Sequence, residues 1–305
     1  MLSRGRAGLL MAALLALPAA ANDPDLPDAV AIEVPDFGDF LTTDGDAVWM
    51  TNVKRIERWS IGGRTASVAV PRPCGAPVVA FEALWVTDCE TKSLVRIDRR
   101  RATVTARIPT GIADPDGEMS LAAGAGAIWM ATDPTGIVSR IDPAKNRVVA
   151  TIKVAPESRG VAFGFGSAWV TNAKSASVQR IDVKSDRVVA TIPVGKSPGF
   201  ITTGEGAVWV QNQADGTVTR IDPKHDRVAA TIKVGRDLIY GDIATGAGRV
   251  WVRTTGDQLL AVIDPWTNRI VARLGKPRGS GAVRYGGGRV WVTAHDVHRL
   301  WAIKR

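Results

Sequence analysis

The sequence predicts an all-β fold, a seven-bladed β-propeller with four-stranded blades. Three observations carry that expectation. First, a tryptophan among small and β-branched residues recurs as AVWMTN, ALWVTD, AIWMAT, SAWVTN, AVWVQN, RVWVRT and RVWVTA. These place Trp49, Trp85, Trp129, Trp169, Trp209, Trp251 and Trp291 at intervals of 36, 44, 40, 40, 42 and 40 residues. Second, each interval holds short runs rich in Val, Ile and Thr, divided by turn residues and without helical periodicity, the pattern of strands. Third, the last repeat stops after RLWAIK, 299–304, one strand short, while AVAIEV, 29–34, stands ahead of the first repeat. A fixed repeat of this length marks one supersecondary unit used many times, and a strand at one end that completes the unit at the other closes a ring.

The elements follow in chain order. Residues 1–21 read as a signal peptide, with Arg4 and Arg6, the apolar AGLLMAALLALP, then Ala19, Ala20 and Ala21 at a cleavage position. The apolar run is too short to span a bilayer, and no other stretch reaches the ~20 residues of a transmembrane helix. A periplasmic or secreted chain is expected, with residues 22–305 forming the propeller and Asn22 to Asp28 a short mobile leader. The fifth repeat shows the unit clearly. GFITT, Gly199 to Thr203, gives a first strand, and Gly204-Glu205-Gly206 turns into the tryptophan strand. A polar link leads to TVTRID, then DPKHDR, then VAATIKV. Proline presets φ in the Asp-Pro turn, and Asp226, like Asn146, Asp186 and Asn268, suits a left-handed residue closing a hairpin. The tryptophans are expected to pack between blades, each burying roughly 150–250 Å². Arg96, Arg140, Arg180 and Arg220 are expected on the solvent side or pairing between blades, as scaffold.

The chain carries 39 Lys and Arg against 30 Asp and Glu; without Arg4 and Arg6 the balance falls from +9 to +7. Such a balance biases encounters toward anionic partners. An anionic polymer and nucleic acid therefore stand among the candidate partners, beside a peptide or another envelope protein. The basic residues are scattered, with Arg99 to Arg101 the one tight cluster. Two cysteines in an exported chain, Cys74 and Cys89, predict one disulfide, stabilising by about 3 kcal/mol on chain entropy. Two cysteines without a nearby histidine do not make a metal site.

At WVTN, Trp169 to Asn172, the chain resembles the YVTN-repeat propellers. With the glycine turn ahead of that unit and RID after it, it also resembles the virginiamycin B lyase-like propellers. The resemblance spans nearly all of residues 22–305. It implies the propeller fold and either an enzyme or a protein that only binds, since fold alone assigns no activity. The lyase opens a cyclic depsipeptide by elimination at its ester, with a magnesium ion and a few top-face residues. On that resemblance the family's two loop histidines match Gly241 and Gly281, its tyrosine before the first blade matches Asp39, and its late acid matches His295 or Asp296. Without a base at Gly241 and Gly281, proton abstraction lacks its agent.

Topology selects the loops that matter. With strands running outward from the axis, the loops between blades share a face with the loops joining second and third strands. Functional residues concentrate on loops held by a rigid scaffold. That mouth face takes Asp39, Glu118, Arg159, Tyr240, Asp242 and Arg284 from the starts of blades, and Arg253, His295 and Asp296 from the ends of tryptophan strands. These nine are the candidate binding residues. Asn52, Asn172 and Asn212 lie there as asparagines that fix their own turns. GIADPDGEMS, 111–120, offers Asp114, Asp116 and Glu118 as oxygen ligands for a hard cation. No cofactor is otherwise implied, so a divalent cation such as Mg or Ca at the mouth is the single candidate. His295 beside Asp296, with His298 near, is the place for proton chemistry. No Ser-His-Asp spacing, phosphate loop or cysteine nucleophile appears, and no catalytic residue is assigned. The expected function is non-catalytic binding of a partner at the mouth. The alternative is a metal-assisted lyase or lactone hydrolase, favoured where three or more of Asp39, Glu118, Asp242, His295 and Asp296 converge at the axis.

Overall fold

The computed structural model describes residues 21–305 apart from Pro24 and Pro115. The signal segment predicted over 1–21 lies outside the described residues, save Ala21. Seven antiparallel sheets make the fold. In blade 5 the strands Pro198–Gly204, Ala207–Asn212, Thr217–Asp222 and Arg227–Lys233 bond in that order. Blades 1, 2, 3, 4 and 6 repeat that order over residues 41–69, 73–109, 121–153, 158–193 and 242–274. Each innermost strand touches the innermost strands of both neighbours, and contact between Val283–Gly286 and Leu41–Asp44 closes the circle. The predicted class and the predicted count of seven both hold.

Blade 7 runs Val283–Gly286, Arg289–Ala294, Arg299–Lys304, Leu26–Glu33 and finally Ala21–Asp23. Leu26–Glu33 pairs with Arg299–Lys304 from Ala29 opposite Ile303 to Glu33 opposite Arg299, so the N-terminal strand latches the ring. The expected mobile leader is corrected. Ala21–Asp23 folds back on Leu26–Glu33 as a fifth strand, because the carboxylates of Asp23 and of Asp25 in the turn find partners. Asp23 accepts the Trp301 indole N–H at 2.9 Å, and Asp25 pairs with Lys276 at 3.1 Å and Arg278 at 2.9 Å.

The recurring tryptophans are buried, six of them completely. In blades 2–6 each indole N–H donates to the carbonyl five residues earlier, as Trp169 does to Gly164 at 3.0 Å. In blade 1 that partner is the Asp44 carboxylate, at 3.1 Å. The repeated arginines form a latch between blades. Arg180 stands opposite Trp169 in register, stacks over its ring at 5.4 Å, and donates to Asp226 of the next blade at 3.0 Å. Arg140 does the same with Trp129 and Asp186, Arg96 with Trp85 and Asn146, and Arg220 with Trp209 and Asn268. The cluster Arg99 to Arg101 is likewise divided, Arg99 pairing with Asp44, Arg100 with Glu82 and Arg101 with Asp98.

These latches are partly open to water, so each contributes modestly. In a double-mutant cycle between Arg180→Ala and Asp226→Ala, urea unfolding is expected to give a coupling of about 0.5–1 kcal/mol. A coupling indistinguishable from zero would show that the pair only decorates the blade edge.

Candidate functional site

Three linked hollows follow the mouth and axis. The central one, about 250 Å³, takes Phe37 and Asp39 from the loop before blade 1, Glu118 from the loop before blade 3, Tyr240 from the loop before blade 6, and Ser280 and His295 from blade 7. A second, about 290 Å³, shares Phe37, Asp39, Phe40, Asp116 and Gly117 with it and extends past Arg72 to Cys74. A third, about 220 Å³, lies among the innermost strands and shares Phe200 with the first. The Phe40 and Phe200 rings, 5.8 Å apart and both buried, form an apolar floor beneath the mouth.

His295 is the centre of the polar contacts. Its Nδ1 lies 3.3 Å from Asp39 Oδ1, and its Nε2 lies 2.6 Å from Ser280 Oγ and 3.0 Å from Asp296 Oδ1. Phe37 stacks on the imidazole with centroids 3.9 Å apart. The Asp39 contact has ion-pair distance but is not aligned as a hydrogen bond, leaving Nδ1 without an aligned partner. Ser280 is held in turn by Asp296 Oδ2, which accepts its backbone N–H at 2.7 Å and lies 3.2 Å from its hydroxyl.

The backbone explains why these groups meet. In the inner hairpin of blade 7, Val283 pairs with Val292, and the ladder continues outward as Thr293 N–H bonds Ala282 and His295 N–H bonds the Ser280 carbonyl at 3.2 Å. That register sets Ser280 opposite His295. Asp39 arrives from blade 1 across the closing seam, where Thr293 Oγ1 donates to its carbonyl at 2.9 Å. Asn52 fixes the preceding turn, accepting Phe37 N–H at 2.9 Å and donating to Pro35 at 2.9 Å and to the buried Glu57 at 3.0 Å. His298 adds a contact from Nδ1 to the Asp36 carbonyl at 2.7 Å. Asn172 donates to Ala155 at 2.9 Å, and Asn212 to Thr217 and Thr219 at 2.9 and 2.8 Å.

Across the hollow, burial and the carboxylates of Asp39, Asp114 and Asp116 push the Glu118 carboxyl up to about 7, against the pull of Arg159. Asp114 is not a free ligand. It accepts the N–H groups of Gly117, Glu118 and Met119 at 2.9, 3.2 and 2.9 Å, folding the acidic loop around itself. Arg159 reaches Asp116 at 2.9 Å on the rim. Tyr240 is 66% exposed, its ring open to a ligand.

Three predicted mouth residues lie elsewhere. Asp242 and Arg284 pair with each other in the lower hollow, below the aromatic floor. Burial raises the Asp242 carboxyl above its ordinary range, against the charge of Arg284 and two backbone N–H groups. Arg253 is fully buried, and its guanidinium donates to the carbonyls of Thr293, Thr254, Leu259, Arg278 and Gly279. Burial lowers it to about 10, with Asp296, Asp242 and Asp39 opposing. Its donors are spent on the scaffold beneath Ser280. Cys74 and Cys89 form the predicted disulfide, with Cα atoms 6.1 Å apart.

The residues present do not fit the magnesium ion of the resembled lyases. A Cβ at Gly241 would fall on the Arg253 carbonyl and one at Gly281 on the Thr293 carbonyl, so neither position has room for histidine. Among the described residues, the only three candidate donors within 4.8 Å of one another are Cys74, Cys89 and Asp114. Two of those are joined to each other.

No protein-family model matches the chain, and no curated protein matches it. Solved structures do. The chain is similar to a selenomethionine-substituted virginiamycin B lyase from Staphylococcus aureus, with 16% identity and a TM-score of 0.77 over 91% of this chain and 99% of that one. It is similar to a streptogramin B lyase, with 17% identity and a TM-score of 0.76 over 92% and 99%. A chain of a mitotic checkpoint complex is similar at 12% identity, with a TM-score of 0.75 over 99% of both. What this chain shares with the two lyases is the fold, a seven-bladed β-propeller.

Proposed function

We propose that the protein is an exported propeller that binds a partner at its mouth, and that the group taken there is cationic and flanked by apolar surface. The disulfide suits an oxidising compartment, and the signal-like residues 1–21 agree with it. The observation that carries the reading is the charge of the hollow. Asp39, Asp116 and Glu118 line it, with Phe37, Phe40, Phe200 and Tyr240 between them. Burial first, and then repulsion from the Asp39, Asp114 and Asp116 carboxylates, defers the ionisation of Glu118 to about pH 7. An ammonium or guanidinium relieves that repulsion, and aromatic faces add to its attraction. A basic segment of a peptide or protein fits; an anionic polymer does not fit this hollow, whatever the net charge of the chain.

The alternative, a metal-assisted lyase or lactone hydrolase, draws support from the convergence of Asp39, His295 and Asp296. It lacks a donor set for the metal, as the crowding at Gly241 and Gly281 shows.

The test is calorimetric titration with capped Phe-Lys-Phe against capped Phe-norleucine-Phe. Glu118 is neutral below its pKa of about 7 and charged above it. Affinity for the lysine peptide is therefore expected to rise about tenfold from pH 6 to pH 8, with proton release on binding. Glu118→Gln should flatten that dependence. Equal binding of the norleucine peptide, or affinity that falls with pH, would remove the cation from the reading.

A further inference from the structure

We propose that Ser280, His295 and Asp39 form a nucleophile, a base and an orienting carboxylate that hydrolyse a carboxylic ester presented at the mouth. Reactivity of a serine hydroxyl depends on a base within hydrogen-bond reach and a third group that orients the base. Ser280 Oγ stands 2.6 Å from His295 Nε2, and the opposite ring nitrogen faces Asp39 Oδ1 at 3.3 Å. The three residues come from blades 7 and 1, so their meeting is not a by-product of one local turn; the Asp39 contact has ion-pair distance and needs a small rotation of the carboxylate to become a hydrogen bond. Two further contacts fix the geometry. Phe37 stacks on the imidazole, limiting its rotation, and Asp296 anchors the Ser280 backbone N–H at 2.7 Å.

The set opens onto the mouth hollow, which both Ser280 and His295 line. In the step proposed, Ser280 gives its proton to His295 Nε2 while Oγ bonds to the ester carbonyl carbon. The carbon–oxygen bond to the alcohol then breaks, and the alcohol leaves with the proton from His295. Water, deprotonated by His295, hydrolyses the acyl-serine to the carboxylic acid and restores the hydroxyl. Asp39 and Asp296, one at each ring nitrogen, stabilise the transient imidazolium. The N–H after a nucleophile is a common donor to the developing oxyanion; here the Gly281 N–H makes only a long contact, 3.4 Å, to the Tyr240 carbonyl. Ester substrates with an apolar acyl group suit the flanking Phe37, Phe200 and Tyr240. This activity goes beyond cation binding and does not depend on it.

The test uses an uncharged alkyl fluorophosphonate, in which the serine oxygen displaces fluoride from phosphorus, followed by intact-mass and peptide mapping. The full-length protein is expected to take one adduct, on Ser280, and Ser280→Ala none. His295→Ala should slow labelling by at least about 10²-fold, the lower end of a general-base contribution, and His295→Gln should behave alike if the alanine variant misfolds. Turnover of p-nitrophenyl acetate should follow the same order, with Asp39→Asn lowering kcat while KM stays unchanged. Thermal melting of each variant separates loss of chemistry from loss of fold. Labelling of Ser280→Ala at the full-length rate, an adduct elsewhere, or no labelling of a folded protein would overturn the proposal.

Discussion

Deleting residues 1–33 is expected to abolish cooperative folding. The strand Leu26–Glu33 supplies the outer pairing for Arg299–Lys304 and buries Leu26, Ala29 and Ile32. Two of those side chains are large, each contributing roughly 1.5–3 kcal/mol by burial. The ladder from Ala29–Ile303 to Glu33–Arg299 and the Trp301–Asp23 bond go with them. Against a typical net stability of about 5–15 kcal/mol, that loss leaves little. It also bares the edge of Arg299–Lys304, an invitation to pair with another chain. Circular dichroism melting and size-exclusion chromatography check this. The expected result is a broad, low transition with aggregation, and a synthetic peptide covering 21–34 should restore the sharp one. A truncated variant that melts within a few degrees of the full-length protein would sink the latch.

The second large effect is expected at Arg253. Five carbonyl oxygens converge on its guanidinium in a site closed to water. Hydrogen bonds to a charged group contribute roughly 1.5–3 kcal/mol each. Removing the charge recovers a desolvation cost of several kcal/mol, so Arg253→Met should lose about 3–5 kcal/mol net in urea unfolding. Lysine has three donors in place of a planar fork, so Arg253→Lys should recover little. Arg278 and Gly279 lead directly into Ser280, and amide exchange over 278–282 should accelerate in both variants. A loss below about 1 kcal/mol would mean that water replaces the guanidinium.

The propeller was legible because its information is repeated. Each tryptophan strand states the same burial, and the spare strand at 29–34 has one place to go. The pairing of the repeated arginines between blades was legible from the same period, whereas their place opposite the tryptophans is set by the strand register. The site was legible only in part. Asp39, Glu118 and His295 line one hollow together, whereas Asp242 and Arg284 line the deeper one, which shares Phe200 with it. The depth of an innermost-strand residue depends on floor residues that loop position does not reveal. Arg253 was misplaced because a charged residue at a strand end reads as exposed, whereas here five carbonyls converge on its guanidinium. Ser280 was missed although a signal existed. The Val283–Val292 register, extended outward along the hairpin, sets it opposite His295. Asp39 joins them only through ring closure, a relation that local spacing cannot express. Asp114 was read as a ligand because a carboxylate in an acidic loop looks free until its own backbone is seen to enclose it.

Placing the pocket on the seam has a bearing on biosynthesis. Phe37 and Asp39 emerge from the ribosome well ahead of Ser280 and His295, and the four meet only when blade 7 docks on blade 1. A nascent chain thus has no complete hollow at this position until the blade 7 hairpin docks. Any product cut short before its last blade lacks the Ser280 and His295 side of this hollow.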